Sequence, residues 1–262
     1  MSGSMPEPAQ FLPFAHQLAD AAGEVIRRYY RAPVTIEHKA DDSPVTIADR
    51  EAEQAMRELI RATYPDHGIE GEEFGHERPD ADLVWCLDPI DGTKSFITGR
   101  PLFGTLVSLA SAGRPILGII DQCILGERWV GAVGQPSTWN DTTIGVRPCP
   151  SVDRAVLSVT TMEMFKTSAD RAAFARVEAA AQLPMYGGDC YAYGLLAMGF
   201  VDVIVERDLD DHDFLALVPV IEGAGGIMTD WNGRPLRAGA DGRIVAAGDR
   251  RVHADVLELL AS

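Results

Sequence analysis

The sequence predicts an α/β protein in two halves, an α+β half over residues 1–147 and an α/β half over residues 148–262. Three observations lead there. Apolar residues recur at helical spacing near the start of the chain. Short strand-like segments with glycine-containing turns then follow one another through the middle, as in an antiparallel meander. Beyond the stiff seam Arg147-Pro148-Cys149-Pro150, strand-like and helix-like segments alternate, which suits a sheet covered by helices.

The first element is a helix over about 10–31, where Phe11, Phe14, Leu18, Ala22, Val25 and Tyr29 form one apolar stripe. Residues 35–39 alternate as an edge strand does, and 40–44 read as a loop carrying Lys39 to its rim, a solvated residue on its own. A second helix runs from about 45 to 63 and stops before Pro65. Thr46 with Asp49 three residues later has the spacing of a capping box. Residues 68–75 hold the acidic pair Glu72-Glu73 between glycines, the composition of a solvated turn. His67 and His76 flank it without a partner at metal-binding spacing and read as surface residues.

The densest chemistry lies in Leu83-Val84-Trp85-Cys86-Leu87-Asp88-Pro89-Ile90-Asp91-Gly92-Thr93-Lys94-Ser95-Phe96. An apolar run reads as a buried strand and breaks into a turn carrying two carboxylates. Pro89 between them removes a backbone donor and fixes φ, so Asp88 and Asp91 can converge. Gly92 allows close backbone approach, and 93–96 read as a helix start whose free N–H groups suit an anion. Carboxylates beside an anion seat point to hard cations bridging a phosphate. Taken alone, these residue types also describe an ordinary acidic turn.

Strands follow at 103–110, 116–121 and 128–133, then a polar turn at 135–140 expected to reach the rim of the site. The second half reads as a strand at 155–159, helices at 169–181 and 191–198, strands at 201–206 and 244–247, and a closing helix at 250–260. Between them, Glu206-Arg207-Asp208-Leu209-Asp210-Asp211-His212-Asp213 forms a second acidic centre. A carboxylate at Asp213 opens the apolar run that follows and would gain from a helix N-terminus.

Composition narrows the function classes. A chain of 262 residues with 46% hydrophobic and 24% charged residues has the profile of a globular protein with a sizeable core. The net charge of −16 argues against a nucleic-acid backbone or an anionic membrane as partner. No apolar run is long enough to span a bilayer and no signal-peptide pattern opens the chain, so a cytoplasmic location is expected, with Met1 to Ser4 given no role. The four cysteines, Cys86, Cys123, Cys149 and Cys190, lack CxxC spacing and are expected as reduced, partly buried thiols. An acidic protein acting on a phosphate ester needs bound cations to invert the local field.

The string Asp88-Pro89-Ile90-Asp91-Gly92-Thr93 matches the first signature of the inositol monophosphatase-like metal-dependent phosphatases, and the chain resembles that family from Lys39 to about Thr229. Gly71-Glu72-Glu73 resembles its Gly-Glu-Glu motif, and Asp213 with Phe214, Ala216, Leu217, Val220, Ile221 and Gly223-Ala224-Gly225-Gly226 resembles its second signature. His212 stands where many members carry Trp. The resemblance implies a layered αβαβα sandwich, a homodimer, lithium sensitivity and two or three Mg²⁺ per site. Glu72, Asp88 and the Ile90 carbonyl would hold one ion, Asp88, Asp91 and Asp213 another, and Glu72 would contact a loosely held third. The resemblance raises the chance that Lys39 faces the metals. Asp49, accepting a hydrogen bond from Thr93, would with it orient and deprotonate the water, Glu72 being a further catalytic candidate, and the N–H groups of Gly92 and Thr93 would grip the phosphate.

Within the family, Gly187-Gly188-Asp189-Cys190-Tyr191-Ala192-Tyr193-Gly194 and Asp213-Phe214-Leu215-Ala216-Leu217-Val218-Pro219 look most like the histidinol-phosphate phosphatase branch. A substrate bearing an ammonium and an imidazole calls for anionic acceptors, for which Asp189 and Glu206 are the candidates. Asp189 is equally placed to cap the next helix. An inositol phosphate is the alternative substrate. A 3′(2′),5′-bisphosphate nucleotide would need a basic cluster for its second phosphate, and the sequence shows no clear one; a non-catalytic metal-binding protein would be expected to lack part of the ligand set.

Overall fold

A computed structural model describes residues 7–33, 36–38 and 44–262. Lys39, the loop at 40–43 and Met1 to Ser4 lie outside the described residues.

A turn of 3₁₀ helix at Pro8–Phe11 leads into α1 (Leu12–Tyr29), whose stripe of Phe14, Leu18, Ala22 and Ile26 is buried. The hairpin β1 (Ile36–His38) and β2 (Pro44–Thr46) precedes α2 (Ile47–Thr63). The expected capping box is formed, with Thr46 Oγ1 accepting from Ala48 N–H and Asp49 Oδ2 accepting from Thr46 N–H at 2.8 Å. Next come β3 (Gly68–Gly71), β4 (Gly75–Glu77), β5 (Leu83–Asp91) and α3 (Thr93–Ile97). The meander follows as β6 (Gly104–Ser111), β7 (Arg114–Gln122), β8 (Glu127–Ala132), β9 (Thr138–Trp139) and β10 (Thr142–Thr143). The rest of the chain is β11 (Val156–Val159), α4 (Ser168–Ala180), β12 (Leu183–Tyr186), α5 (Asp189–Ala197), β13 (Val203–Glu206), α6 (Asp211–Phe214), α7 (Leu217–Gly223), β14 (Ile227–Asp230), β15 (Ile244–Ala247) and α8 (Arg250–Ala261).

Five layers result. Helices α1 and α2 cover one face of an eight-stranded sheet ordered β10-β9-β8-β7-β6-β5-β3-β4. Its other face packs on α5 and α7, which also cover the five-stranded sheet β12-β11-β13-β15-β14, and α4 with α8 close the far side. Residues 68–75, expected as a loop, belong instead to a hairpin of β3 and β4. Its first strand pairs parallel with β5, and that pairing sets Glu72 beside Asp88. His67 is not a free surface residue: its Nδ1 accepts from Trp85 Nε1 at 3.1 Å and its ring stacks on Tyr64. The expected polar turn at 135–140 does not line the cleft beside Asp91 and Asp213. Ser137 is buried, and its hydroxyl donates to the Val220 carbonyl at 2.7 Å. All four cysteines are buried and unbridged.

The two sheets meet through α7 with almost nothing between. Gly118 on β7 and Gly131 on β8 are register partners, and together they form a bare patch on the sheet. A Cβ on Gly118 would lie 1.9 Å from the Ala216 carbonyl oxygen, and one on Gly131 would lie 2.3 Å from Pro219 backbone. The backbone of the segment that follows Asp213 therefore rests directly on the sheet. Gly118→Ala should cost about 3 kcal/mol or more, because backbone cannot yield as a side chain does. Urea unfolding with an unchanged m-value checks it, and a loss below about 1 kcal/mol would refute direct contact.

Candidate active site

Two residues three apart on a regular strand point to opposite faces. Asp88 and Asp91 do not, because the ladder between β5 and β6 slips between them: Asp88 pairs with Leu106 and Asp91 with Gly104. The irregularity is pinned on each side. Ile90 N–H donates to Asp88 Oδ1 at 2.9 Å, and Thr105 Oγ1 donates to the Pro89 carbonyl at 2.8 Å. Gly92 then turns through φ 85°, and α3 begins. A side chain at 92 is excluded twice, by that φ and by the Asp189 carboxylate, whose Cγ would lie 2.7 Å from its Cβ.

Asp213 arrives from the other half. It is held in a capping box with Asp210, whose N–H donates to Asp213 Oδ2 at 2.7 Å. The neighbouring acids, unexplained by sequence, thereby gain structural roles: Asp210 caps α6, and Asp211 accepts from Gly239 N–H at 2.8 Å. Carboxylate oxygens of Asp88, Asp91 and Asp213 all lie within 4.8 Å of one another. Glu72 comes alongside because Gly71 pairs with Leu87, and its carboxyl is in hydrogen-bond contact with Asp88. Glu72 is also near enough to Asp49 to raise its pKa.

Charges of one sign in a buried space disfavour their own ionisation. Burial pushes Asp88 well above the usual carboxylate range, with Glu72, Asp91 and Asp213 adding to it. Asp91 is raised by burial and then by Asp189 and Asp213, and burial lifts Asp213 to about 6. All the donors are hard oxygens converging on one small volume, and Asp49 Oδ1 is buried with no partner. Such a set fits divalent cations of the Mg²⁺ kind.

The structure departs from expectation at the Asp49–Thr93 pair. Thr93 Oγ1 donates to the Ile90 carbonyl at 3.2 Å, while Asp49 Oδ2 accepts from Thr46 N–H and Oγ1. The capping box satisfies one Asp49 oxygen and leaves the other pointed at nothing.

A cleft of about 60 Å³ opens beside Asp91 and Asp213, bordered by Thr160, Asp189, Tyr193 and Glu206. Glu206 is buried, and its Oε1 accepts from Thr160 N–H at 3.0 Å while its Oε2 accepts from the Tyr193 hydroxyl at 2.8 Å. Burial raises its pKa despite both bonds. Asp189 does not cap α5. Its Oδ2 accepts from Ser95 Oγ at 2.6 Å, and its backbone is held at φ 44°, a conformation that costs a non-glycine residue energy. The next amide, Cys190 N–H, donates to Asp91 Oδ2 at 2.6 Å, so one segment of the second half grips the Asp88–Asp91 turn of the first. Tyr193, Thr160 and Ser95 escaped the sequence reading, since neutral hydroxyls and a backbone amide carry no motif.

These shifts set a pH dependence. With the folded pKa of Asp213 near 6, above its ordinary value of 3.8, its protonated form favours folding, and this contribution is lost as pH rises from about 4 to 6. Cations compete with those same protons. The rise in Tm on adding Mg²⁺ should therefore be small near pH 5 and several-fold larger near pH 7.5. Equal rises at both would refute shared ownership of the site by protons and metal; differential scanning calorimetry makes the comparison.

The chain matches the inositol monophosphatase family over residues 7–262. It is 50% identical over 260 residues to the chloroplastic bifunctional phosphatase IMPL2 of Arabidopsis thaliana, covering 96% of this chain and 75% of that one. It is 34% identical over 236 residues to a histidinol-phosphatase of Chlorobaculum parvum, covering 90% and 91%. An inositol monophosphatase structure from Zymomonas mobilis superposes with a TM-score of 0.90 at 47% identity, over 97% of this chain and 98% of that one. Fold, carboxylate cluster and similarity along the whole chain agree: this protein belongs to the inositol monophosphatase family, a family of phosphatases.

Proposed function

We propose that this phosphatase is Mg²⁺-dependent and hydrolyses L-histidinol phosphate to histidinol and phosphate, a step of histidine biosynthesis. The observation that supports the substrate is the pair of carboxylates, half-buried Asp189 and buried Glu206, on the cleft next to Asp91 and Asp213. An ammonium and an imidazole find acceptors there, whereas a second phosphate is repelled. The histidinol-phosphatase relative supports this reading. Inositol 1-phosphate is the second reading, favoured by the likeness to the Zymomonas mobilis structure.

In this reading Glu72, Asp88, the Ile90 carbonyl, Asp91 and Asp213 hold the cations. Bound there, divalent cations offset phosphate charge and make an attacking water more acidic. The chain supplies the remaining parts. Asp49 Oδ1, buried and unpartnered, is the oxygen available to take a proton from that water, and Glu72 sits beside it. Thr93 Oγ1 has to leave the Ile90 carbonyl to orient the water, an exchange costing one hydrogen bond of about 1 kcal/mol. The N–H groups of Gly92 and Thr93, at the open end of α3, receive the phosphate oxygens. Asp189 and Glu206 then align the amino alcohol so that the ester oxygen faces the cluster.

Three results are expected. Phosphate release from histidinol phosphate, inositol 1-phosphate and a 3′,5′-bisphosphate nucleotide, measured side by side with Mg²⁺, should favour the first in kcat/KM by at least about 10²-fold. A flat profile, or a preference for inositol phosphate, overturns the substrate. Asp91→Asn should lower turnover by about 10²-fold or more, since a preorganised charge is lost. It should also raise the metal-free Tm by relieving repulsion, and near-normal turnover would sink the ligand assignment. Asp189→Asn should raise KM for histidinol phosphate by about tenfold over any change for inositol phosphate, a difference of ~1.4 kcal/mol. Equal effects on both would confine Asp189 to holding Ser95.

A further inference from the structure

A second charge system lies beside the turn that carries Glu72. Helix α2 presents Asp49, Glu53 and Arg57 at successive fourth positions, so one face carries all three. Glu53 and Arg57 are buried to within 1% of full and joined through Nε and Oε1 at 2.7 Å. A buried ion pair is weak evidence for stability, because desolvation offsets the attraction. Its remaining bonds show where it acts. Glu53 Oε2 accepts from Glu73 N–H at 2.7 Å, and Oε1 accepts from Phe74 N–H at 3.2 Å. Arg57 donates through Nη2 to the Gly75 carbonyl and through Nη1 to Glu77 Oε1 at 3.1 Å, with its guanidinium 5.9 Å from the Phe74 ring centroid.

The turn between β3 and β4 is therefore held by side chains of α2 in place of backbone partners. Glu72 is the residue that turn displays, and its own N–H is tied to the Leu87 carbonyl at 3.3 Å, next to Asp88. Gly71 carries the same constraint, for a Cβ there would lie 2.1 Å from Glu53 Oε1. Asp49, whose Oδ1 is buried without a partner, lies in the first turn of the same helix that bears the clamp, so one element connects it to the Glu72 turn.

We propose that Glu53 and Arg57 are positioning residues that set the Glu72 carboxylate for cation binding. The inference rests on the metal reading given under Proposed function. Glu53→Gln removes the charge at constant shape. Arg57→Lys keeps the charge but cannot reach Gly75 and Glu77 together. The destabilised control is Phe174→Leu, in the core between α4 and the five-stranded sheet.

Two readouts separate positioning from general destabilisation. In metal-free protein, amide exchange at Glu73 and Phe74 should accelerate in Glu53→Gln and stay at the wild-type rate in Phe174→Leu. By titration calorimetry, Mg²⁺ affinity should fall about 10- to 100-fold in both clamp variants and not in the control. If Glu53→Gln does not fold, Arg57→Lys carries the test. A folded clamp variant with wild-type Mg²⁺ affinity overturns the proposal, as does an equal loss in Phe174→Leu. Wild-type protein that binds no Mg²⁺ instead overturns the metal reading, an outcome the exchange data distinguish from failure of the clamp.

Discussion

Like charges crowded into one poorly solvated volume, with Asp88 buried and the others half-buried, are the constraint on which this structure depends. Asp88, Asp91, Asp213 and Glu72 would separate if the backbone let them. The backbone does not, because each is held in place by its own segment. A slipped ladder and two hydrogen bonds hold the turn at Asp88 to Asp91, a capping box holds Asp213, and parallel pairing with the Glu53–Arg57 clamp holds Glu72. The cost appears as carboxyl groups raised above their ordinary titration range. Stability is given up locally so that a ligand set exists before its ligand arrives.

Around this centre the two halves do different work. The first half carries Asp88, Asp91 and the start of α3, whereas the second half contributes Asp213 and most of the cleft wall. They are joined at the Cys190 amide on Asp91 and at Ser95 on Asp189. In the proposed reading, recognition of the alcohol and handling of the phosphate are thus adjacent, yet carried by different segments. A family that shares one phosphate chemistry can vary its substrates in this way.

Much of the site was legible in the sequence because its residues are charged, clustered and set in turn-forming context. Asp88-Pro89-Ile90-Asp91-Gly92-Thr93 announces convergent carboxylates, and Thr46-x-x-Asp49 announces a capped helix. The hairpin at 68–77 was hidden because glycine-rich acidic stretches read as solvated turns; only the distant partner strand β5 makes a strand of residues 68–71. Leu183–Tyr186 and Ile227–Asp230 were missed as strands for a similar reason, being short segments defined by their neighbours. The Asp49–Thr93 bond expected from resemblance is replaced by Thr93 on Ile90. Asp189 was equally balanced between cap and pocket wall, and only the Ser95 contact tips it away from capping.

The bare patch at Gly118 and Gly131 carries a consequence for how such a protein can change over time. Most joints between layers are made of side chains, and successive substitutions can loosen, tighten or rotate them by small steps. At Gly118 and Gly131 backbone rests on backbone, so those two points have no side chain to adjust: the close approach is kept whole or lost at once. Lineages carrying this fold would then be free to remodel the cleft wall while the relative placement of Asp213 and the Asp88–Asp91 turn stays fixed. The seam acts as a datum from which new specificities are measured, and not as a hinge through which they are reached.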